Sequence, residues 1–356
     1  MARENTLSEL LRAIRTAQQR PRLPDLPGSA GAYLAARALA DDGAAPLLAV
    51  FPDAARAAAF AGDLRFFAAE GGFENAAARI LHLPPWEVLP YDRLSPQRGT
   101  SFERLSVLGR LAVPPPTPLG PGSGVLALVT DARALAQRVM APEMLREAAF
   151  DLAVGEEIDR DALLGRLAAI GYSGGPLAET RGEFSARGGL VDVFPIDADL
   201  PLRLELDGDR IDRIRPYDPE TQRSHSGRGG AGRELRFPRI QILPAREVIL
   251  AKDVVARSKE AVRERLAELG FPLERRVELL ADLERGIYQP GAEFLLPLFA
   301  PAPVPVTAYL GERILPWLVE RDGIRAAVEK FHEDIDRGLA RARENRHLHV
   351  APGALW

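Results

Sequence analysis

RGEFSARGGLVDVFPIDADLPLRLELDGDRIDRIR, residues 181–215, is the stretch on which the fold turns. Leu202, Leu204 and Leu206 alternate with Arg203, Glu205 and Asp207, which gives a strand with one apolar and one charged face. Asp207-Gly208 supplies turn chemistry, and residues 211–215 return as the second strand of a hairpin. On this pattern Arg203 points away from the core and Leu206 towards it. Upstream, residues 182–186 form a short element that ends at Arg187. Gly188-Gly189 then lets the backbone bend at little steric cost, and Leu190, Val191, Val193 and Phe194 form an apolar run closed by Pro195.

The flanking sequence divides into three regions. Before residue 149, helical and strand patterns alternate: an Ala-rich helix, a strand at 46–51, a helix at 53–67, strands at 80–83 and 125–129, and a helix at 132–140. That alternation indicates a parallel α/β sheet. Residues 150–155 read as a strand, and Asp159 caps a helix carrying Leu163, Leu164, Leu167 and Ile170 that Gly171 ends. Residues 217–246 are rich in Arg, Gly and Ser, and 223–233 reads as a long turn in preference to an RNA-binding Arg/Gly arm. Beyond 245 the chain is mainly helical, at 254–269, 273–286 and 328–345, with a strand at 304–309. The charges around 328–345 indicate a solvated helix.

Composition closes off several function classes. At 356 residues and 46% apolar content the chain holds more than one core. Its longest apolar runs fall short of the roughly 20 residues of a membrane helix. Leu7, Leu10, Leu11 and Ile14 lie at helical spacing among charges, unlike a secretion signal, so a cytoplasmic location is expected. With zero cysteines there is no disulfide, thiolate nucleophile or cysteine-bound metal. His347 and His349 lack a third ligand, and His82, His225 and His332 are scattered, so neither a metal nor a cofactor is expected. Lysine occurs only at 252, 259 and 330, which excludes lysine chemistry from the first two-thirds of the chain. A net charge of −4 argues against a strongly basic nucleic-acid-binding body.

GEFSARGGLVDVFP and LRLELDGDRIDRIRPYDPETQRS resemble the domain that UvrB and the transcription-repair coupling factors share for docking UvrA, and WEVLPYD at residues 86–92 resembles a signature of the coupling factors more than anything in UvrB. The resemblance implies an α/β fold, with a degenerate P-loop-type parallel-sheet body of UvrB type and an inserted α+β domain for UvrA. The corresponding segments are 1–148 for the first part of the body, 149–244 for the docking domain, and 245–356 for a second, mainly helical part packing back on the body. The family's docking arginines fall on Arg187 and Arg203. A third contact, a phenylalanine in the family, falls on Asp207.

Where UvrB holds its phosphate loop, this chain has Gly28, Gly31 and Ala32. Gly31 takes the place of the lysine and Ala32 that of the magnesium-binding hydroxyl, so both phosphate charge and metal ligand are missing. The chain passes from WEVLPYD directly into a helix, which leaves no room for UvrB's DNA-gripping hairpin. Trp86, Tyr91 and Asp92, flanked by prolines, read as pins that hold a loop on a core. The expected function is a non-catalytic adaptor that binds UvrA, with RNA polymerase and DNA contacted through further domains of the parent. The alternative is an ATP-dependent, UvrB-type helicase module that processes DNA damage.

Overall fold

The computed structural model describes residues 11, 23, 26–40, 45–72, 76–113, 124–223, 228–229, 233–234, 236–300 and 302–356. The expectation for the N-terminal helix, apart from Leu11, and most of the 223–233 loop lie outside these residues. Two compact units are formed. One gathers Met1–Trp86, Thr117–Arg138 and Pro305–Asp336, and the other Glu87–Pro116, Val139–Val304 and Arg337–Trp356.

The first unit is built on four parallel strands in the order Leu315–Leu318, Leu47–Phe51, Ala127–Asp131, Ile80–Leu83. Both central strands are buried at every residue, which is why they read as apolar runs without alternation. Asp53 accepts a hydrogen bond from the Arg56 amide and starts the helix Ala54–Glu70. Ala57, Phe60, Ala61, Leu64 and Ala68 then bury one helix face at three- and four-residue spacing. Asp131 caps the helix Ala132–Ala136 by accepting from the Arg133 and Ala134 amides at 2.7 and 3.1 Å. The helix expected to reach residue 140 stops at Ala136, because Gln137 turns extended and the chain continues as the strand Arg138–Val139.

The second unit is organised on a five-stranded sheet, in the order Arg210–Pro216, Leu202–Asp207, Leu190–Phe194, Glu183–Arg187, Ser173–Gly174. All pairs are antiparallel except the last. Arg187 opposes Leu190 across a two-residue turn, with Gly188 at φ 56°. A side chain on Gly189 would come within 3.0 Å of the Leu206 carbonyl, so the turn requires its glycines. The second hairpin turns at Gly208-Asp209, one residue later than expected, with a bulge between Ile211 and Arg213. Val191, Val193, Leu202, Leu204, Ile211 and Ile214 are buried on one face. Two short strands, Phe150–Ala153 and Arg239–Ile242, pair beside this sheet. Within the arginine/glycine loop, Arg228–Gly229 pairs with Arg233–Glu234.

The remainder of this unit is mainly helical, with Lys252–Glu268 and Leu273–Glu284 as expected. The strand expected at 304–309 shrinks to Val304–Pro305, followed by a 3₁₀ turn over Val306–Tyr309. Pro303 and Pro305 have no amide to give to a ladder. Tyr91 does pin its loop: its hydroxyl donates to the Val350 carbonyl at 3.0 Å and its ring meets Trp356 edge-on at 5.1 Å. The helix Arg321–Glu344 passes this loop so closely that a Cβ at Gly338 would lie 2.2 Å from the Pro90 carbonyl oxygen.

Glu293 is buried in the same unit and accepts from the Ser95 hydroxyl at 2.8 Å. Burial pushes its carboxyl above the ordinary glutamate value of 4.5. The folded chain therefore keeps this proton at pH values where the unfolded chain has lost it, and stability falls as pH rises from 4.5 through the raised pKa. Glu293→Gln retains an acceptor for Ser95 and has no charge to lose. Its melting temperature relative to wild type should climb in the variant's favour between pH 4.5 and pH 7. A difference flat across that window would show that Glu293 ionises in the folded chain as freely as in the unfolded one.

Candidate functional site

The charged face of the five-stranded sheet gathers the residues that the resemblance marks. Strand register places Ser185, Asp192, Arg203 and Arg215 in one row across four strands, and Arg187, Leu190, Glu205 and Arg213 in the next. Arg187 and Arg203 thus share a face, and both reach the same carboxylate. Arg203 donates from Nε to Asp192 Oδ1 and from Nη2 to Oδ2, each at 2.7 Å. Arg187 Nη2 stands 3.8 Å from Asp192 Oδ2.

The two arginines differ in how they are held. Arg187 has 53% of its side chain exposed, whereas Arg203 is 8% exposed and Asp192 2%. Arg203 therefore corrects the sequence reading: it leaves the core face, as alternation requires, yet it is buried and not a free surface group. The reason is the segment after the last strand, which folds back across this face. Arg203 Nη1 donates to the Gln222 carbonyl at 3.1 Å, and its guanidinium lies 4.5 Å from the centre of the Tyr217 ring. Tyr217 is completely buried and donates its hydroxyl to the Ala178 carbonyl at 2.6 Å. The hydrogen bond with Asp192 raises the Arg203 pKa against the effect of burial, so the guanidinium stays charged.

Asp207 is exposed at the end of its strand, opposite Arg210. It lies four residues from Arg203 on the same face, a distance of about 13 Å at strand spacing. Leu206, expected in the core, is only half-buried, although Ile211 opposite it on the neighbouring strand is fully buried. Glu205 is paired with Arg215 and stands 3.8 Å from Arg213. Arg160 donates to the Gly188 carbonyl at 2.9 Å, which adds a second exposed cation beside Arg187 at the hairpin tip. Sequence reading missed Asp192, Tyr217 and Gln222. A lone acid inside LVDVF was the available signal for the first, since a charge in a buried strand needs a partner.

Gly28, Gly31 and Ala32 lie in the other unit. Gly28 has φ 54° in the turn before the helix Ala30–Ala38, and Gly31 and Ala32 fall in that helix's first turn. Ala32 is 1% exposed, and a Cβ on Gly31 would touch Phe60 at 3.8 Å. Among the described residues no three His, Asp or Glu side chains converge as a metal site would need, and no helix is long and apolar enough to cross a membrane.

Residues 150–247 match the family model described as the UvrB interaction domain. These bounds enclose the whole five-stranded sheet and the loop that covers it. The chain is similar to the transcription-repair-coupling factor of Myxococcus xanthus, 38% identical over 283 residues that make up 80% of this chain and 22% of that protein. It is 36% identical to the Mycobacterium bovis transcription-repair-coupling factor over 74% of this chain and 20% of that one. The Escherichia coli transcription-repair-coupling factor is 29% identical over 94% of this chain and 26% of its own length. The matched stretch thus spans about a quarter or less of these relatives. The chain carries a UvrB interaction domain and belongs with the N-terminal, UvrB-like module of the transcription-repair coupling factors.

Proposed function

We propose that the chain is a non-catalytic docking module that binds UvrA and so links nucleotide-excision repair to transcription, through the charged face bearing Arg187, Arg203 and Asp207. The observation that carries this reading is the position of the UvrB interaction domain match, which encloses a sheet face with an exposed arginine fixed beside a buried, ion-paired one. A guanidinium offers a planar fork to carboxylates on a partner, and a rigid sheet presents it with little ordering left to do. The docking segment is taken as 149–244, flanked by 1–148 and 245–356. Contacts with RNA polymerase and DNA are assigned to other parts of a longer parent.

The same reading assigns no nucleotide to the Gly28, Gly31 and Ala32 region. Its support is the buried methyl group of Ala32, where phosphate chemistry would want an exposed hydroxyl for magnesium. UvrA titrated against wild type and Arg187→Ala tests the docking role. Loss of a central arginine is expected to weaken binding by about 2 kcal/mol, roughly thirtyfold. Equal affinities would place the interface elsewhere. Magnesium-ATP should leave the melting temperature of the chain unchanged, and a clear upward shift would revive the ATP-dependent alternative.

A further inference from the structure

One residue in the docking region adopts a backbone conformation that its side chain disfavours. Gln222 has φ 59°, in the left-handed region that sterically disfavours a non-glycine residue. A tight turn enforces this. Asp218 Oδ1 accepts from the Glu220 and Thr221 amides at 2.8 and 3.0 Å, and the Asp218 carbonyl accepts from the Gln222 amide at 2.8 Å. The Asp218 amide in turn donates to the Arg223 carbonyl at 3.0 Å. Gln222 Nε2 donates to the Pro219 carbonyl at 2.7 Å, which fixes the amide orientation and turns Oε1 outward.

The strained residue meets both arginines. Its carbonyl accepts from Arg203 Nη1 at 3.1 Å, while Oε1 accepts from Arg187 Nη2 at 3.5 Å, the limit of a hydrogen bond. Arg203 is gripped by three short bonds. Arg187 is held by one long hydrogen bond and a 3.8 Å ion pair. A partner carboxylate offering bonds of ordinary length, about 2.8 Å, outcompetes both of these contacts for Arg187.

We propose that Gln222 is a positioning residue of the docking surface, holding Arg187 over Asp192 by a neutral, weak contact that a partner carboxylate displaces. The proposal rests on the docking reading above and adds to it a reason for a neutral amide at this position. A carboxylate at 222 would pair with Arg187 within the chain and occupy the group meant for the partner. Fixed charge at a clamp is thereby avoided, while Arg187 is kept from sampling rotamers that binding would otherwise have to freeze.

The test compares Gln222→Glu, Gln222→Gly and wild type in UvrA titrations, with Arg187→Ala as reference and thermal melts alongside. Gln222→Glu is expected to lose about tenfold in affinity at low salt, with part of the loss recovered at higher ionic strength as the new internal pair is screened. Gln222→Gly relieves the backbone strain and should melt no lower than wild type, yet bind about threefold more weakly because Arg187 loses its rest. In the free chain, the Arg203 guanidinium Nε–H should exchange slowly by nuclear magnetic resonance and that of Arg187 rapidly, and Gln222→Glu should slow the Arg187 signal. A purely structural role for Gln222 would move the melts but not this signal.

Two outcomes overturn the proposal: an Arg187 signal unchanged by Gln222→Glu, or both Gln222 variants binding UvrA like wild type while Arg187→Ala binds weakly. If wild type itself fails to bind UvrA, the docking reading falls, and the Arg187 signal in the free chain still decides whether Gln222 positions that side chain.

Discussion

Arg203→Ala is expected to lower the folding stability of the chain by about 3 kcal/mol, the low end of what breaking a buried ion pair costs. Surface substitutions stay within about 0.5 kcal/mol, so this arginine should behave as a core residue. Asp192, 2% exposed, would lose a bidentate partner at 2.7 Å on each oxygen. Its charge would then face a cavity floored by the buried Tyr217 ring. Arg187, 3.8 Å from the same carboxylate, can move in and recover part of the loss, which is why the lower end of the range is taken. Arg187→Ala leaves the short pair intact and should cost under about 0.5 kcal/mol. Urea unfolding of both variants settles the ordering. Equal stabilities would mean that Asp192 is solvated well enough to do without Arg203.

The ordering also decides how binding data should be read. A weakened UvrA interaction in Arg203→Ala mixes a lost contact with a loosened sheet, whereas the same loss in Arg187→Ala reports the contact alone. Arg203→Lys separates the two. It keeps the charge beside Asp192 without the fork, so it should sit between wild type and Arg203→Ala in both stability and affinity.

Much of the docking sheet was legible because its signals are local. The Leu202–Leu206 alternation gave the strand, the two glycines after Arg187 gave the turn, and Asp159 gave the helix start that the structure shows, with Asp159 Oδ1 accepting from the Ala162 amide at 2.9 Å. Non-local consequences were not legible. Alternation says which face Arg203 leaves, but not that residues 217–222 come back to cover that face, and this is what changes an exposed arginine into a buried one. Leu315–Leu318 escaped notice because Pro316 interrupts it, although an edge strand can tolerate a proline whose missing amide would face away from the sheet. Arg239–Ile242 was lost inside a segment whose Arg and Gly content suggested only loop.

Removing either half of the Arg104–Glu247 pair should have the largest effect of any substitution considered for this chain, about 4 kcal/mol for Arg104→Met or Glu247→Leu alone. Arg104 is completely buried on the helix Arg98–Ala112, and Glu247, 3% exposed, closes the segment matched by the UvrB interaction domain. Nε and Nη2 of Arg104 donate to the two carboxylate oxygens at 2.8 and 3.3 Å. Neither charge can regain water when the other is deleted. The double variant Arg104→Met/Glu247→Leu removes both desolvation costs together and fills the space with apolar atoms, so it should recover most of the loss and can exceed wild type.

A double-mutant cycle in urea measures this directly. Coupling of several kcal/mol is expected, whereas additive losses would mean that surrounding dipoles stabilise each charge separately. The cycle also bears on docking. The same helix holds the sheet through Arg98, whose Nη2 donates to the Gly182 carbonyl at 3.2 Å, and through Phe102, which lies so close to Gly182 that an added Cβ would sit 2.6 Å from its ring. If the buried pair only joins the helix to the segment that follows the strand Arg239–Ile242, the double variant should bind UvrA as wild type does. If it bound UvrA weakly while folding stably, the pair would instead be setting the shape of the docking face, and apolar packing of similar volume could not replace its directional bonds.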